Sequence, residues 1–388
     1  MASHASYIQR LLVPPRQSFF LFGPRGSGKS TWVRHELPDA PRIDLLDERV
    51  YQGYLARVGL FGDELRALAP GATVVVDGIQ RLPALLNEVH RFIEERRLRF
   101  VLCGSSTRKL KQQGTNLLAG RALRRALHPF IPAELVAAFD LDTVLTFGSL
   151  PVIWQAPSRW DALVAYVQMY LKEEIQAEAL VRNLSGFARF LPVAALFHGQ
   201  ALNVAGLARD AEVSRSTVTG YVEILEDTLL AFRLSAFAGK LRVREKRHPK
   251  LYWVDTGIVR ALKRQRGAPP PEEQGSLCEG WVANLLRIHD DYRGLFDEWA
   301  YWEAGKGSDV EVDFLLRRGR EWVAIEAKAG TRVGPEELRG LRAIAGHKGL
   351  ARRILVYRGT RRLATADGIE AWPVGHFLEV LERERLWP

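Results

Sequence analysis

Two cysteines, Cys103 and Cys278, are all that this 388-residue sequence contains. That is too few for a disulfide framework or a cysteine-built metal cluster, and it suits a reducing compartment. Long apolar runs are missing as well. None approaches the ~20 residues needed to cross a bilayer, so no membrane partner is expected. The opening stretch MASHASYIQRLL has no extended apolar core followed by a cleavage site, and the expected location is cytoplasmic. Acidic residues are in deficit, with 45 Asp plus Glu against 55 Lys plus Arg, a net charge of +10. An excess of this sign suggests a polyanionic partner, nucleic acid first. The remaining composition, 47% hydrophobic and 26% charged, is that of a globular chain, and the length predicts two or three domains.

The most informative stretch is Gly23 to Thr31, GPRGSGKST, directly after the apolar run Phe19-Phe20-Leu21-Phe22. Gly23, Gly28, Lys29 and Ser30 occupy the fixed places of G-x-x-x-x-G-K-[ST], and Gly26 adds a third glycine. Such a loop lets backbone N–H groups wrap a polyphosphate at the start of a helix whose dipole favours anions. Lys29 then meets the β- and γ-phosphates, and Ser30, followed by Thr31, supplies a hydroxyl for Mg²⁺. The expected cofactors are ATP and Mg²⁺.

Short apolar runs alternate with helical patterns up to about residue 150, predicting a parallel α/β sheet with strands near 18–22, 41–45, 72–77 and 99–104. The third ends in Asp77, placed to hold Mg²⁺. Additional-strand ATPases usually carry Glu at the next position as the base for the attacking water; here it is Gly78. Gln80 is nearby, yet an amide is a poor proton acceptor. Nucleotide binding is therefore expected, with slow turnover. The fourth strand runs into Ser105 and Ser106, which either sense a γ-phosphate or cap the following helical stretch. In LLAGRALRRAL, Arg121, Arg124 or Arg125 can act on a neighbouring subunit's nucleotide or form a solvated basic face.

Arg159 to about Val181 reads as a helix, with Trp160, Leu163, Val164, Val167 and Leu171 on one stripe. After it, LNVAGLARDAEVSRSTVTGYVEILED reads as helix, turn, helix. Ser214 caps the second helix, whose core face is Val218, Val222 and Leu225. Arg215, Ser216, Thr217, Thr219 and Tyr221 fall near or on the exposed face, as in a recognition helix. Two strands are expected around a basic loop holding Lys240, Arg242, Arg244, Lys246, Arg247 and Lys250. This is a winged-helix pattern. It serves DNA or protein contacts, and the loop charge favours DNA.

Gly267 to Glu273, GAPPPEE, reads as a linker. Beyond it come a helix with Glu279 and the strands Val310–Leu316, Trp322–Ala327 and Ile354–Tyr357. Asp313 and Glu326-Ala327-Lys328 lie across a predicted hairpin, with the Asp…Glu-x-Lys spacing of PD-(D/E)XK nucleases. Glu326 and Lys328 share a strand face. Asp313 and Glu326 can share Mg²⁺ or Mn²⁺, Lys328 can assist a metal-bound water, and Glu279 matches the extra acid of many such enzymes. A cross-strand ion pair is the plainer reading.

In the order phosphate loop, VVVDGIQRLP, FVLCGSSTRKL, LLAGRALRR, winged helix, EVDFLL and AIEAKAG, nearly the whole chain resembles the prokaryotic AAA-type ATPases with a C-terminal PD-(D/E)XK-like domain of unknown function. That group usually reads Asp-Glu-Ile-Gln where this chain has Asp77-Gly78-Ile79-Gln80. The expected fold class is α/β, in three parts: a P-loop additional-strand ATPase over 1–150, a helical and winged-helix region over 151–266, and a restriction-endonuclease-like α/β domain over 267–388. The resemblance implies the fold, the nucleotide and the C-terminal carboxylates and names no substrate; with the basic charge and the winged-helix pattern, the expected function is an ATP-controlled protein acting on DNA, duplex, forked or branched, as a motor or as a clamp with metal-dependent cleavage. The implied assembly is a homo-oligomeric ring, a hexamer first. The alternative is a nucleotide-switched DNA-binding regulator or scaffold that does not cut.

Overall fold

Phe19–Phe22 forms strand β1 because its aromatic side chains find apolar cover on both faces of a sheet. A computed structural model describes residues 7–57, 59–104, 106, 118, 120–170, 184–237, 248–305 and 310–388. Strands β2 (Arg42–Asp44), β3 (Thr73–Asp77), β4 (Arg99–Cys103) and β5 (Leu123–Ala126) join β1 in the order β2-β3-β4-β1-β5. Every pairing is parallel. β4 therefore stands between the strand that leads into the phosphate loop and the strand that ends in Asp77, which is the additional-strand arrangement expected. Helix α1 (Lys29–Glu36) covers one face through Trp32 and Val33. The other face is covered by α2 (Glu48–Ala56), α3 (Gly59–Arg66) and α4 (Leu85–Arg96), with Tyr54, Phe61, Leu65, Leu86, Val89 and Phe92 inside.

β5 was not among the expected strands. Its sequence LRRA suggests a basic surface, yet Leu123 to Ala126 pair residue for residue with Phe19 to Phe22. At a sheet edge the backbone bonds to β1 suffice, and Arg124 is left exposed.

The expected helix from Arg159 is α-helical to Ala165 and continues as a π-helical turn over Tyr166–Tyr170; residues 171–183, Leu171 among them, lie outside the described residues. The middle region then runs helix α5 (Leu184–Leu196), β6 (Gln200–Ala201), α6 (Val204–Asp210), α7 (Arg215–Asp227), β7 (Ala231–Leu234) and β8 (Lys250–Trp253). Its three strands form an antiparallel sheet in the order β6-β8-β7. Ser214 caps α7 by accepting the Thr217 N–H at 3.1 Å, and Val218, Val222 and Leu225 are buried as the pattern requires. Tyr221 departs from expectation. It is 5% exposed and packs against Phe187 and Phe190 of α5, because that helix covers one more stripe of α7 than the spacing alone reveals.

The expected linker is shorter than its composition suggests. Helix α8 starts at Pro271 and runs to Arg293, since a proline with its fixed φ is well suited to a first helical turn. Glu273 is buried there, paired with Arg260 at 3.2 Å and with Lys263. Strands β9 (Glu298–Glu303), β10 (Glu311–Arg318), β11 (Glu321–Lys328), β12 (Leu350–Tyr357), β13 (Leu363–Ala364) and β14 (Ile369–Pro373) make a mixed sheet in the order β13-β14-β12-β11-β10-β9. β10 and β11 form the expected antiparallel hairpin, and β11, β12 and β14 are parallel. One hydrophobic core runs continuously from Phe130 through the middle region and α8 to Leu386.

Candidate functional site

The phosphate loop is held from outside. The carbonyls of three successive residues accept from distant parts of the chain: Arg25 from the Tyr166 hydroxyl at 3.0 Å, Gly26 from the Val152 N–H at 3.2 Å, and Ser27 from Arg10 at 2.9 Å. With its carbonyls engaged outward, the loop can offer N–H groups inward. Gly26 and Gly28 have φ of 79° and 87°, a left-handed backbone that glycine adopts without strain. At Gly26 a Cβ would also come within 2.4 Å of Val152 Cγ1.

Inside the loop, Lys29 Nζ donates to the Gly23 carbonyl at 2.7 Å and the Pro24 carbonyl at 3.2 Å. The Ser30 hydroxyl donates to Asp77 Oδ2 at 2.7 Å, bringing the two predicted Mg²⁺ ligands together from 47 positions apart. Gly26, Gly28, Lys29, Ser30, Thr31 and Asp77 line a cavity of about 440 Å³ with Arg25, Leu46, Gly78, Gln80 and Gly104. Volume, cradle and donor set fit a nucleoside triphosphate with its Mg²⁺, and the Ser27 hydroxyl, buried in the loop, has no hydrogen-bond partner among the described residues.

Gly78 is itself left-handed, with φ 76° and ψ 28°. A Cβ there would meet Leu46 Cδ2 at 2.9 Å; Leu46 is 56% exposed and can yield, but the backbone strain would stay. Gln80, whose amide is a poor base, lines the cavity and is only 7% exposed. Burial and the nearby Asp77 push the Cys103 thiol well up, so it is inert. Ser106 is buried, whereas Ser105 lies outside the described residues. Arg121 and Arg124 do not reach this cavity: Arg121 pairs with Glu94, and Arg124 lies over the Phe22 ring at 5.6 Å and lines a separate groove with Arg287 and Glu226.

The second constellation also converges. Asp313 sits in a register irregularity of β10, between the Val312–Trp302 and Leu315–Ala300 pairs, which disturbs the strand alternation at this point. It is 2% exposed and Glu326 5%. Asp313 Oδ2 accepts the Ala327 N–H at 2.9 Å, and Glu326 Oε2 accepts the Asp313 N–H at 3.3 Å. Lys328 Nζ donates to Glu326 Oε1 at 2.5 Å, and the Tyr252 hydroxyl to Glu279 Oε1 at 2.6 Å. Sequence reasoning missed one member. Lys250, read as part of a basic loop, points inward from β8, 3% exposed, with Nζ 3.0 Å from Glu279 Oε1, 3.0 Å from Glu311 Oε1 and 3.6 Å from Asp313 Oδ1. Its place at the start of an apolar strand, KLYW, was the available signal.

Burial and the neighbouring Asp313 raise Glu279 to about 7 and Glu326 to about 8. Burial opposes the charge on Lys250, but Glu279 and the other acids outweigh it and hold the ammonium strongly protonated. A divalent ion does not fit this set as it stands. Each carboxylate is already bonded within the chain, two ammonium groups lie among them, and among the described residues no three acidic, His or Cys side chains are arranged to hold a metal.

Of the expected nucleic-acid contacts, Arg215 is exposed at the start of α7, and Thr217 belongs to the helix cap, its hydroxyl 2.7 Å from that of Ser214. Lys240, Arg242, Arg244, Lys246 and Arg247 lie outside the described residues.

Strand order, phosphate loop and the Ser30–Asp77 pair together define a P-loop ATPase domain of the AAA type. Residues 15–136 match the family model described as an AAA domain. Residues 138–268 and 274–377 match two models described as domains of unknown function, DUF8612 and DUF4143. Over 373 residues the chain is 26% identical to an uncharacterized protein of Mycobacterium tuberculosis, covering 92% of this chain and 80% of that one, and equally so to one of Mycobacterium bovis. Among solved structures it is similar to the Walker-type ATPase of Pyrococcus abyssi (16% identity, 63% of this chain and 90% of that chain, TM-score 0.41). It is also similar to the ORC1 protein of Aeropyrum pernix in complex with DNA (14% identity, 64% and 86%, TM-score 0.27).

Proposed function

We propose that this protein is a nucleotide-controlled DNA-binding ATPase in which bound ATP sets the DNA affinity of a winged-helix unit and hydrolysis resets it slowly. The observation that carries the reading is the Ser30–Asp77 pair at the mouth of the phosphate loop with no acid at position 78. Lys29 would meet the β- and γ-phosphates, and Ser30 and Asp77 would hold Mg²⁺, which supplies charge compensation on the phosphates. With Gly78 next to Asp77, Gln80 is the side chain left to orient water, a task an amide performs without taking a proton. Such a site holds its nucleotide long enough to act as a state.

DNA is supported by the net charge of +10, the sequence of the basic loop between β7 and β8, and the exposed start of α7 with Arg215. The helix–strand–helix–helix–strand–strand order over 184–253 supports the winged-helix reading. Arg121 and Arg124, remote from their own cavity, would serve a nucleotide only from a neighbouring subunit, which is the ground for a homo-oligomeric ring. The convergence of Glu279, Asp313, Glu326 and Lys328 supports a second reading, a motor or clamp that cleaves DNA with Mg²⁺ or Mn²⁺. Lys250 among those acids counts against it.

The test is DNA affinity by fluorescence anisotropy on duplex, forked and four-way DNA, with ATP, with ADP and without nucleotide. Wild type is expected to shift its Kd with ATP by at least about tenfold, ~1.4 kcal/mol, while Lys29→Ala, with weakened ATP binding, stays constant. Equal affinity in all three states overturns the switch, and Mn²⁺-dependent cutting of any of these DNAs restores the second reading.

A further inference from the structure

We infer that Lys250 is the resident cation of the Glu279–Glu311–Asp313 cluster, occupying with its own ammonium the position a divalent ion would need and making the C-terminal sheet metal-independent. The inference concerns this cluster alone, and it stands whether or not the protein binds DNA.

Three observations lead to it. Lysine is almost never fully buried unless paired, and Lys250, 3% exposed, has three carboxylates within 3.6 Å of Nζ. The acids come from separate elements, Glu279 from α8 and Glu311 and Asp313 from β10, whereas the ammonium comes from β8 of the middle sheet. A charge that gathers acids from two elements does what a bound metal does in a carboxylate site. The ammonium is further enclosed by the Tyr301 ring, its centroid 5.5 Å from Nζ, while the Tyr252 hydroxyl takes up the same Glu279 oxygen. A divalent ion on Asp313 would therefore sit beside a fixed positive charge in a dry environment, where like charges repel strongly. Lys328 stands in the other approach, with Nζ 2.5 Å from Glu326 Oε1.

The arrangement also fixes how the units meet. β8 is hydrogen-bonded on both edges, Lys250 standing opposite Ala201 and Leu234, so its side chain is delivered by a strand that cannot slide independently. Lys250 thus fastens the middle sheet to the C-terminal sheet by charge as well as by the shared core.

The experiment is Mn²⁺ titration followed by electron paramagnetic resonance, on full-length protein freed of metal and nucleotide. An Asp77→Asn background removes the carboxylate of the nucleotide site. The protein with Lys250 in place is expected to show no specific Mn²⁺ site. Lys250→Met should gain one, raising the Mn²⁺ affinity at least tenfold over the residual binding of the Lys250 protein, and Asp313→Asn in the same protein should abolish it. Thermal unfolding gives a second readout that needs no folded Lys250 variant. With Lys250 present, Mn²⁺ and EDTA should give the same melting temperature, since a ligand that binds only the folded state would raise it. Stoichiometric Mn²⁺ binding with Lys250 in place that Asp313→Asn removes, or a Mn²⁺-dependent rise in melting temperature lost with Asp313→Asn, overturns the inference.

Discussion

Gly78 carries the heaviest consequence of any single residue. The residue after Asp77, where an acid is the sequence expectation, is held in a left-handed backbone, at φ 76°, so conformation as well as side chain sets what this position can do. Gly78→Ala is expected to destabilise the protein by about 1–2 kcal/mol through that strain, measured as a lower urea midpoint at unchanged m-value. Unaltered stability would show that the turn accepts a side chain freely and that glycine is not required there. The substitution to Glu inherits the same strain, and adding the acid does not by itself place it where a water would sit. Lys29 and Ser30 are legible from spacing, because a loop that wraps phosphate needs fixed residue types at fixed intervals, and Asp77 from its place at the end of an apolar strand. The left-handed turn at 78 is not, since it depends on how β3 leaves the sheet.

At the scale of elements, α8 and β8 meet through a histidine that cannot afford its charge. His198 accepts the Trp253 N–H through Nδ1 at 3.1 Å, and a Cβ at Gly280 of α8 would strike Nε2 at 1.9 Å. Burial, with a smaller push from Lys263, lowers its pKa to about 3. An unfolded chain takes up this proton near pH 6.5 and the folded one only near 3, so His198 draws stability down as pH falls between those values. The slope from one such group approaches ~1.4 kcal/mol per pH unit. Glu279 and Glu326, raised by burial, act in the opposite sense at higher pH, which is why the comparison is between proteins at each pH. In urea unfolding at pH 5 and pH 6.5, His198→Asn should lose less stability on acidification than wild type; identical losses would mean that His198 is protonated in the folded state. Elements with strong periodicity, such as α4, α7 and α8, were readable from the sequence. β5 and the inward Lys250 were not, because arginines at a sheet edge and a lysine at a strand start look alike until the partners across space are known.

At the scale of the whole molecule, stretches that read as separate in the sequence share one core. The proline-rich stretch before α8 reads as a spacer, yet Pro271 opens a helix and Glu273 is gripped by Arg260 and Lys263. The core then runs on from the middle region to Leu386. The predicted DNA contact rests on the basic sequence between β7 and β8. Replacing Arg242, Arg244, Lys246 and Arg247 with Ala should weaken binding to all sequences alike. It should also lower the slope of log affinity against log salt by up to about 0.9 per lost phosphate contact. A slope that does not change would move the DNA site off this loop.

Three adjoining carbonyls of the phosphate loop, those of Arg25, Gly26 and Ser27, are tied to Tyr166, Val152 and Arg10. A loop moored at three points cannot breathe alone. If it reshapes around a triphosphate, it either drags along the helix Pro151–Trp154 and the turn at Tyr166 or leaves buried polar atoms unpaired, at about 1–3 kcal/mol each. Dragging is the easier course, and it makes the seat of the nucleotide and the first segment beyond the ATPase sheet parts of one lever, with the phosphates at its short arm.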